Sequence, residues 1–600
     1  MKTILLIFAC IMLPAIIHGQ TRITGTITTE KGLPLANANI MIKNSYDGTS
    51  SDSTGRFSFT SSEKGKKILL FSSINYYTDS LPIEINGNVI ELHFKLKERY
   101  NELDVVTITA GVFESGDSKK GAVLSSLDVA TTAGATADIF SALQTLPGTQ
   151  TSFSESGLFV RGGSASETKT FFDGMLVKTP FNTAIPDQAS RGRFSPFLFK
   201  GTSFSAGGYS AQYGQALSSA LMLESKDLPE KTSTALSVLS VGASADQTTR
   251  FKNSALTVGG FYYNLKPAFT LIKQQTDWDK APEQYGGTLH YKLQTSKTGM
   301  FKWYSETSNS QIAIFRANPD KPLVKEYLKN DNKNSYINTS FYEYLGSNWK
   351  LQGGLSYSNN KDEGSTDEEH FGRTDRLLQG RLTLTNYFGS SSTFKFGSET
   401  YASKRQENLN DFQRHYSDQL SAGFAETDLY LTQKLVFRMG LRTEYSTYID
   451  KFNVSPRSSL SYKTGKSSQV SLAYGRFYQN PDDSELIVQP LDFELADHYI
   501  ANFQKATTQQ TFRAEIYYKV YNQLTKNMGS YYNNSGQGYA RGLDLFWRDK
   551  KSFKGSDYWI SYSYLDTKRD FKDYPTLSVP PFAAKHTLNV VYKKFFDKLN

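Results

Sequence analysis

Cysteine is almost missing from this sequence: Cys10 is the only one in 600 residues. It stands inside an N-terminal apolar run, so the rest of the chain has neither a disulfide framework nor thiol chemistry. Long apolar runs are missing too. After the first twenty residues no window offers the roughly 18 consecutive apolar residues that a membrane-spanning helix needs, so any crossing must be made by a closed β-barrel. Charge of one sign is never concentrated. The 67 basic and 58 acidic residues are interspersed, and without a Lys/Arg tract to follow phosphates no nucleic-acid partner is expected. None of the seven histidines begins a His-x-x-Glu, and no Walker-type or G-x-G-x-x-G loop opens a helix. No catalytic residue, metal or cofactor is expected.

What the sequence has is aromatic rings, 37 tyrosines and 40 phenylalanines, which suit a pleated surface better than a helix. Six hundred residues exceed one ordinary core, so the chain is either several domains or one large closed structure with attachments. Lys2, the apolar run Ile4 to Ile17 and the small Gly19 read as a secretory leader over 1–19. From Thr21 to about Lys97 short alternating stretches such as Arg22 to Thr28 and Arg56 to Phe59 are punctuated by glycine, the pattern of a small β-sandwich. Gly25-Thr26-Ile27, Leu33-Pro34-Leu35-Ala36-Asn37-Ala38-Asn39-Ile40 and Asp52-Ser53-Thr54-Gly55-Arg56-Phe57 resemble the carboxypeptidase-regulatory-like domain, here over 20–97.

Leu103 to Ala110 is a β-prone segment between polar, glycine-containing flanks. It suits either a strand lent to a partner's sheet edge or the first strand of the next domain. The stretch from Thr136 to Asp227 follows. Thr136 is read as the N-cap of a short helix carrying Ile139, Phe140, Leu143 and Leu146, ended by Pro147-Gly148. Strands are expected at Leu158–Gly163, Thr170–Gly174 and Gly207–Leu223, with glycine permitting tight turns and close backbone approach.

Leu146-Pro147-Gly148, Phe159-Val160-Arg161-Gly162-Gly163, Phe172-Asp173-Gly174 and Gly208-Tyr209-Ser210-Ala211-Gln212-Tyr213-Gly214 look like the plug of TonB-dependent outer-membrane receptors. The resemblance implies a plug over 122–231, with Arg161, Gly162, Gly163, Asp173 and Gly174 as its motif residues. It also implies a TonB-box segment within 98–121 carrying Asp104, Val105, Val106, Thr107 and Ile108. Ile108 departs from the more usual Val-Thr-Ala ending.

From 232 to 600 alternating strands recur, among them Thr288–Leu293, Phe437–Arg442 and Ala514–Tyr517. Strands of about ten residues, apolar outward and polar inward, are what a transmembrane barrel requires. Short turns such as Thr432-Gln433-Lys434 contrast with the longer connections Gln479–Asp497 and Thr567–Lys585, which places ligand contacts on the long loops with the plug below. Asp362-Glu363 and Asp367-Glu368-Glu369 read as a solvated outer loop. Roughly sixteen to eighteen strands are expected against about 22 for plugged transporters, so the last strands are expected to lie beyond Asn600.

The fold class is therefore mainly β: a transmembrane antiparallel β-barrel with an internal plug and an N-terminal β-sandwich. The resemblance implies an outer-membrane receptor that imports an unidentified ligand, embedded in outer-membrane lipid and energised by the TonB energy-transducing complex. A passive porin or surface-adhesion barrel is the alternative. A signalling role ranks below both, and an enzyme last.

Overall fold

The computed structural model describes residues 21–96 and 124–595, apart from the short stretches 30–31, 36–37, 44, 46, 74–75, 77, 153–155, 183–189, 319–322, 390–391, 466 and 508. The chain forms two compact units that divide at Asp104.

The first unit is a two-sheet sandwich. Thr21–Thr29 lies between Arg56–Ser61, antiparallel to it, and Ile90–Leu96, parallel to it. Facing it, Gly48–Ser50, Asn39–Ile42, Gly65–Ser72 and Asp79–Ile85 form the second sheet. The alternation of Ile23 and Ile27 with polar neighbours sends one face of the first strand inward against Ile40, Leu69 and Phe71. Phe71 and Phe94 stack with centroids 3.9 Å apart.

The second unit consists of a plug and a wall. The plug's main sheet runs Met175–Leu176, Thr168–Phe172, Ser219–Ser225 and Phe199–Ser205. The expected helix is present as Ile139–Leu143, but its N-cap is Asp138, which accepts from Phe140 N. Thr136 cannot fill that role, because its φ of 47° is left-handed and lies outside the helix. A further helix, Ser126–Thr131, carries a capping box in which Ser125 and Asp128 satisfy each other's backbone N–H. Of the strand expected over 207–223 only the end from Ser219 is extended; Gly208 at φ 69° and Gln215 at φ 61° turn the chain before it.

Among the described residues the wall is one sheet of eighteen strands in chain order, from Ser233–Leu239 at one edge to His586–Lys594 at the other. Each strand is antiparallel to the next, so connections alternate between two ends. The longest of them, 265–276, 480–493 and 571–585, share one end, while 431–434 lies at the other. Most of the strands exceed the ten residues expected, reaching 21 in Lys325–Leu345, while the edge strands Ser233–Leu239 and His586–Lys594 have 7 and 9. Trp303, Trp349, Phe394, Tyr462, Trp547 and Tyr592 form an exposed aromatic row near the short-turn end. Tyr262, Tyr285, Tyr357, Tyr499 and Tyr518 form a second row, with Leu355, Leu382, Leu441 and Ile516 exposed between. From Trp349 to Tyr357 is about 26 Å along the strand at roughly 3.3 Å per residue, which at the roughly 35–45° tilt of membrane-barrel strands is about 20 Å of height, on the scale of the apolar band of a membrane barrel. The strands outrun this band because their far ends build a mouth beyond the bilayer.

Candidate functional site

The wall's inner face closes around the plug. Gln284 on one side and Lys593 on the other both reach plug atoms, Asn182 and Asp128 respectively. The plug's central motif is a two-residue turn, with Arg161 at φ 49° and Gly162 at φ 77°, closed by Gly163 N donating to Val160 O at 2.9 Å. A side chain at Gly162 would put Cβ 2.7 Å from Thr567 Oγ1 of the wall. The left-handed turn therefore brings plug backbone directly against the wall and aims Arg161 outward.

Arg161 is 3% exposed and donates from Nε to Asp544 Oδ2 at 2.9 Å and from a terminal nitrogen to Glu515. Its guanidinium also lies 4.2 Å from the centre of the Tyr517 ring. Burial opposes the charge, but Glu515 and Asp544 outweigh it and hold the guanidinium above its usual pKa. Two further pairs bind plug to wall on the same side. Glu167 meets Arg569, and Asp128 accepts from Arg548 at 2.6 Å. Burial resists the Asp128 charge, yet Arg548 brings its carboxyl down to about 2. None of these partners is adjacent in sequence, and only Arg161 was singled out from sequence.

Asp173 and Gly174 form a second left-handed turn, at φ 48° and 85°, joining Thr168–Phe172 to Met175–Leu176. Asp173 works mostly within the plug, accepting from Ser225 N at 2.7 Å and from Ser225 Oγ at 2.6 Å. Ser340 of the wall reaches it at 3.3 Å, and Arg381 donates to Gly174 O at 2.9 Å. Asp104, Val105, Val106, Thr107 and Ile108 lie outside the described residues.

Beyond the upper aromatic row, inward-facing residues of neighbouring strands line a cavity of 630 Å³. Phe371, Phe412, Leu328 and Leu409 supply apolar faces, and Arg373, Arg405 and Arg414 supply guanidinium groups. Each arginine already meets a carboxylate: Arg373 meets Asp362 at 2.7 Å, Arg405 meets Asp375 at 3.4 Å, and Arg414 meets Glu407 at 2.6 Å. Asp362 corrects the expectation of a solvated loop. It ends an inward stripe, accepting from Asn332 at 2.7 Å and Asn360 at 2.9 Å.

The two longest outer connections bend onto the plug. Gln150 and Ala584 exchange two hydrogen bonds, of 3.2 and 2.7 Å, and Phe159 lies against Phe582 with centroids 4.7 Å apart. In 480–493, Asp483 pairs with Lys178 of the plug, and Asn480 N donates to Gln215 at 3.0 Å. Among the described residues no group of three or more His, Cys, Asp or Glu side chains is placed to hold a metal ion.

Comparison with known proteins agrees with this architecture. The family described as "TonB dependent receptor-like, beta-barrel" matches residues 242–599, and the "CarboxypepD_reg-like domain" matches 23–108. A curated TonB-dependent receptor of Formosa agariphila is 36% identical over 92 residues, which is 15% of this chain and 8% of that relative's length. The alcaligin outer-membrane receptor FauA of Bordetella pertussis superposes with a TM-score of 0.59 at 12% identity, over 79% of this chain and 83% of that one. The ferric enterobactin receptor of Pseudomonas aeruginosa gives 0.58 at 12% identity, over 74% and 80%.

Proposed function

Because the chain belongs to the TonB-dependent receptor β-barrel family, a family of outer-membrane transport receptors, we propose that it captures a ligand outside the cell and imports it with energy from the TonB complex. The observation that carries this reading is the filled lumen. A plug tied to the wall by Arg161, Glu167 and Asp128 stands across the lumen, which disfavours a passive porin and calls for work to move it. With no nucleotide loop in the sequence, that work comes from a partner, and Asp104 to Ile108 is the segment through which it would pull.

The mouth cavity is the capture site. Its guanidinium groups are already matched by carboxylates, so it favours a ligand of little net charge that offers hydrogen-bonding groups at its edges and apolar faces to Phe371 and Phe412. The connections 480–493 and 571–585, resting on the plug, link the mouth to the gate.

Growth of a deletion strain on defined glycans and under iron limitation identifies the ligand. Removing Leu103 to Ala110 then abolishes energy-dependent uptake of that ligand while binding to whole cells persists. Uptake at the full rate without this segment would overturn the reading in favour of a passive barrel.

A further inference from the structure

The plug is not held evenly around its circumference. Its ion pairs to the wall strands lie on two sides: Arg161, Glu167 and Asp128 meet strands within 510–594, and on Met300–Ala317 Arg193 meets Glu306 at 3.0 Å and Asp227 meets Lys302 at 3.1 Å. Facing the four strands Lys325–Leu345, Trp349–Thr366, His370–Phe388 and Ser392–Leu409, no plug residue among those described forms an ion pair with the wall. The junction there consists of apolar contacts, Phe172 and Phe194 beside Tyr336 and Leu176 on the cluster of Leu377 and Tyr401, and of hydrogen bonds; Lys178 of the plug feels the charge of Asp375, but its ion pair is with Asp483 of the connection 480–493. Asn338 donates to Phe172 O at 2.9 Å, Leu176 N donates to Gln379 at 2.7 Å, and Arg381 donates to Gly174 O and to Gln212.

Parting the plug from these two kinds of seam has different consequences. Separating Arg161 from Glu515 and Asp544 leaves buried charges without counterions, whereas a neutral hydrogen bond is exchanged for one to water. Two charged groups stand at this seam, and neither is stranded when the plug leaves: Arg381 keeps its counterion Glu399, 3.8 Å away on the wall, and Asp173, which accepts from Ser340 at 3.3 Å, keeps its two hydrogen bonds from Ser225 within the plug. The plug's side of this seam is also its weakest edge. Met175–Leu176 is a two-residue strand, joined to the sheet through Phe171 and Phe172 and one further hydrogen bond, from Val177 N to Thr170 O at 2.9 Å.

The mouth cavity opens above these same four strands, since Leu328, Asp362, Phe371 and Arg405 line it. Below it, Asn334 Oδ1, Asn338 Oδ1 and Gln379 Nε2 are buried without a hydrogen-bond partner. Buried polar atoms in folded proteins are nearly always paired, and a polar solute passing along this wall would pair them.

We propose that the plug parts from the wall first along this neutral seam, and that the ligand descends past Asn334, Asn338 and Gln379 while the ionic side holds the plug as a hinge. The ligand's route rests on the import reading; the order of parting does not.

The test uses the purified full chain in detergent micelles, with Cys10 replaced by serine and one new cysteine at a time. Ser340→Cys and Asn338→Cys report the neutral seam. Ser563→Cys and Ser561→Cys report the ionic seam, where Ser563 accepts from Gly148 N at 2.7 Å and Ser561 donates to Thr145 O at 2.8 Å. Fluorescein maleimide is added along a urea series below the global unfolding transition. The neutral-seam cysteines label at lower urea, at least about threefold faster than the ionic-seam pair at matched urea, as expected for local opening. Equal rates on both seams, or faster labelling at Ser563→Cys and Ser561→Cys, would overturn the proposal. Failure of the import reading shows separately, as uptake that survives removal of Leu103 to Ala110, and does not alter the labelling order.

Discussion

Arg161 of the plug donates to Asp544 of the wall at 2.9 Å, with both side chains only 3% exposed. The pair joins residues 383 positions apart. Its geometry depends on the left-handed turn at Arg161-Gly162, which lets plug backbone approach the wall closely enough for the guanidinium to reach two carboxylates at once.

Arg161→Ala leaves Glu515 and Asp544 facing each other in a buried site. Removing one partner of such a group costs about 3–5 kcal/mol, so the plug of the variant becomes sensitive to protease at markedly lower urea than in the parent. An unchanged protease profile would show that the pair does not hold the plug.

Gly162→Ala and Gly174→Ala separate backbone strain from crowding. Both glycines are left-handed, at 77° and 85°, which costs an alanine about 1–2 kcal/mol. Only Gly162 also meets an obstacle, Thr567 Oγ1 at 2.7 Å, whereas the nearest atom to a Cβ at Gly174 is Arg381 at 3.9 Å. Crowding adds about 1–3 kcal/mol, so Gly162→Ala shifts the urea midpoint of plug release clearly further than Gly174→Ala. Equal shifts would place the whole effect in the turns.

Glu485 lies in the outer-loop helix Asp483–Leu486, where burial first and the neighbouring Asp482 second push its carboxyl up to about 7. A carboxyl whose pKa is raised on folding disfavours the folded loop once it ionises. Closure is therefore strongest below the unfolded value of about 4.3, weakens as pH rises from there, and has lost this contribution above about 7. Hydrogen-exchange protection of the Glu485 to Ile487 amides falls on the order of tenfold between pH 5.5 and 8. Glu485→Gln removes the dependence; a variant that keeps it would assign the effect to another group.

Gln150→Ala breaks both hydrogen bonds to Ala584 and frees 571–585 from the plug. Two ordinary hydrogen bonds are worth about 2 kcal/mol together. Trypsin then cuts after Lys572 or Lys585 several times faster than in the parent, with the wall intact. Unaltered cleavage would mean that the remaining contacts, Phe159 with Phe582 and Phe571 in the apolar cluster with Phe171 and Tyr209, secure the connection without it.

Much of the local architecture was readable because its signals are local. The strand expected over Thr170–Gly174 is present, but it stops at Phe172, and Asp173-Gly174 form the turn after it, since glycine and aspartate tolerate the left-handed pair of dihedrals. The cap of the Ile139–Leu143 helix was misplaced by two residues, because Thr136 and Asp138 are both acceptable caps and only the backbone decides between them. Ser125 and Asp128 carry a local signal for the Ser126–Thr131 helix, the capping-box spacing ahead of a short apolar run. The reading of Asp362-Glu363 as loop failed for a different reason. Strands that outrun the bilayer lose the apolar-outward pattern, so their charged outer ends look like loop.

By itself the sequence determined the class of this protein: aromatic, alternating strands without a membrane helix or a thiol framework, and plug motifs in a fixed order. These follow from periodicity and turn chemistry, which act over a few residues. The tertiary structure alone decided which charges meet. Arg161 with Asp544, Glu167 with Arg569, and the arginines of the mouth with their carboxylates are brought together by a sheet that curls through eighteen strands. Inward-facing residues recur at every second position on every strand, so a lone sequence offers each plug charge many partners of opposite sign, and only register and curvature select one.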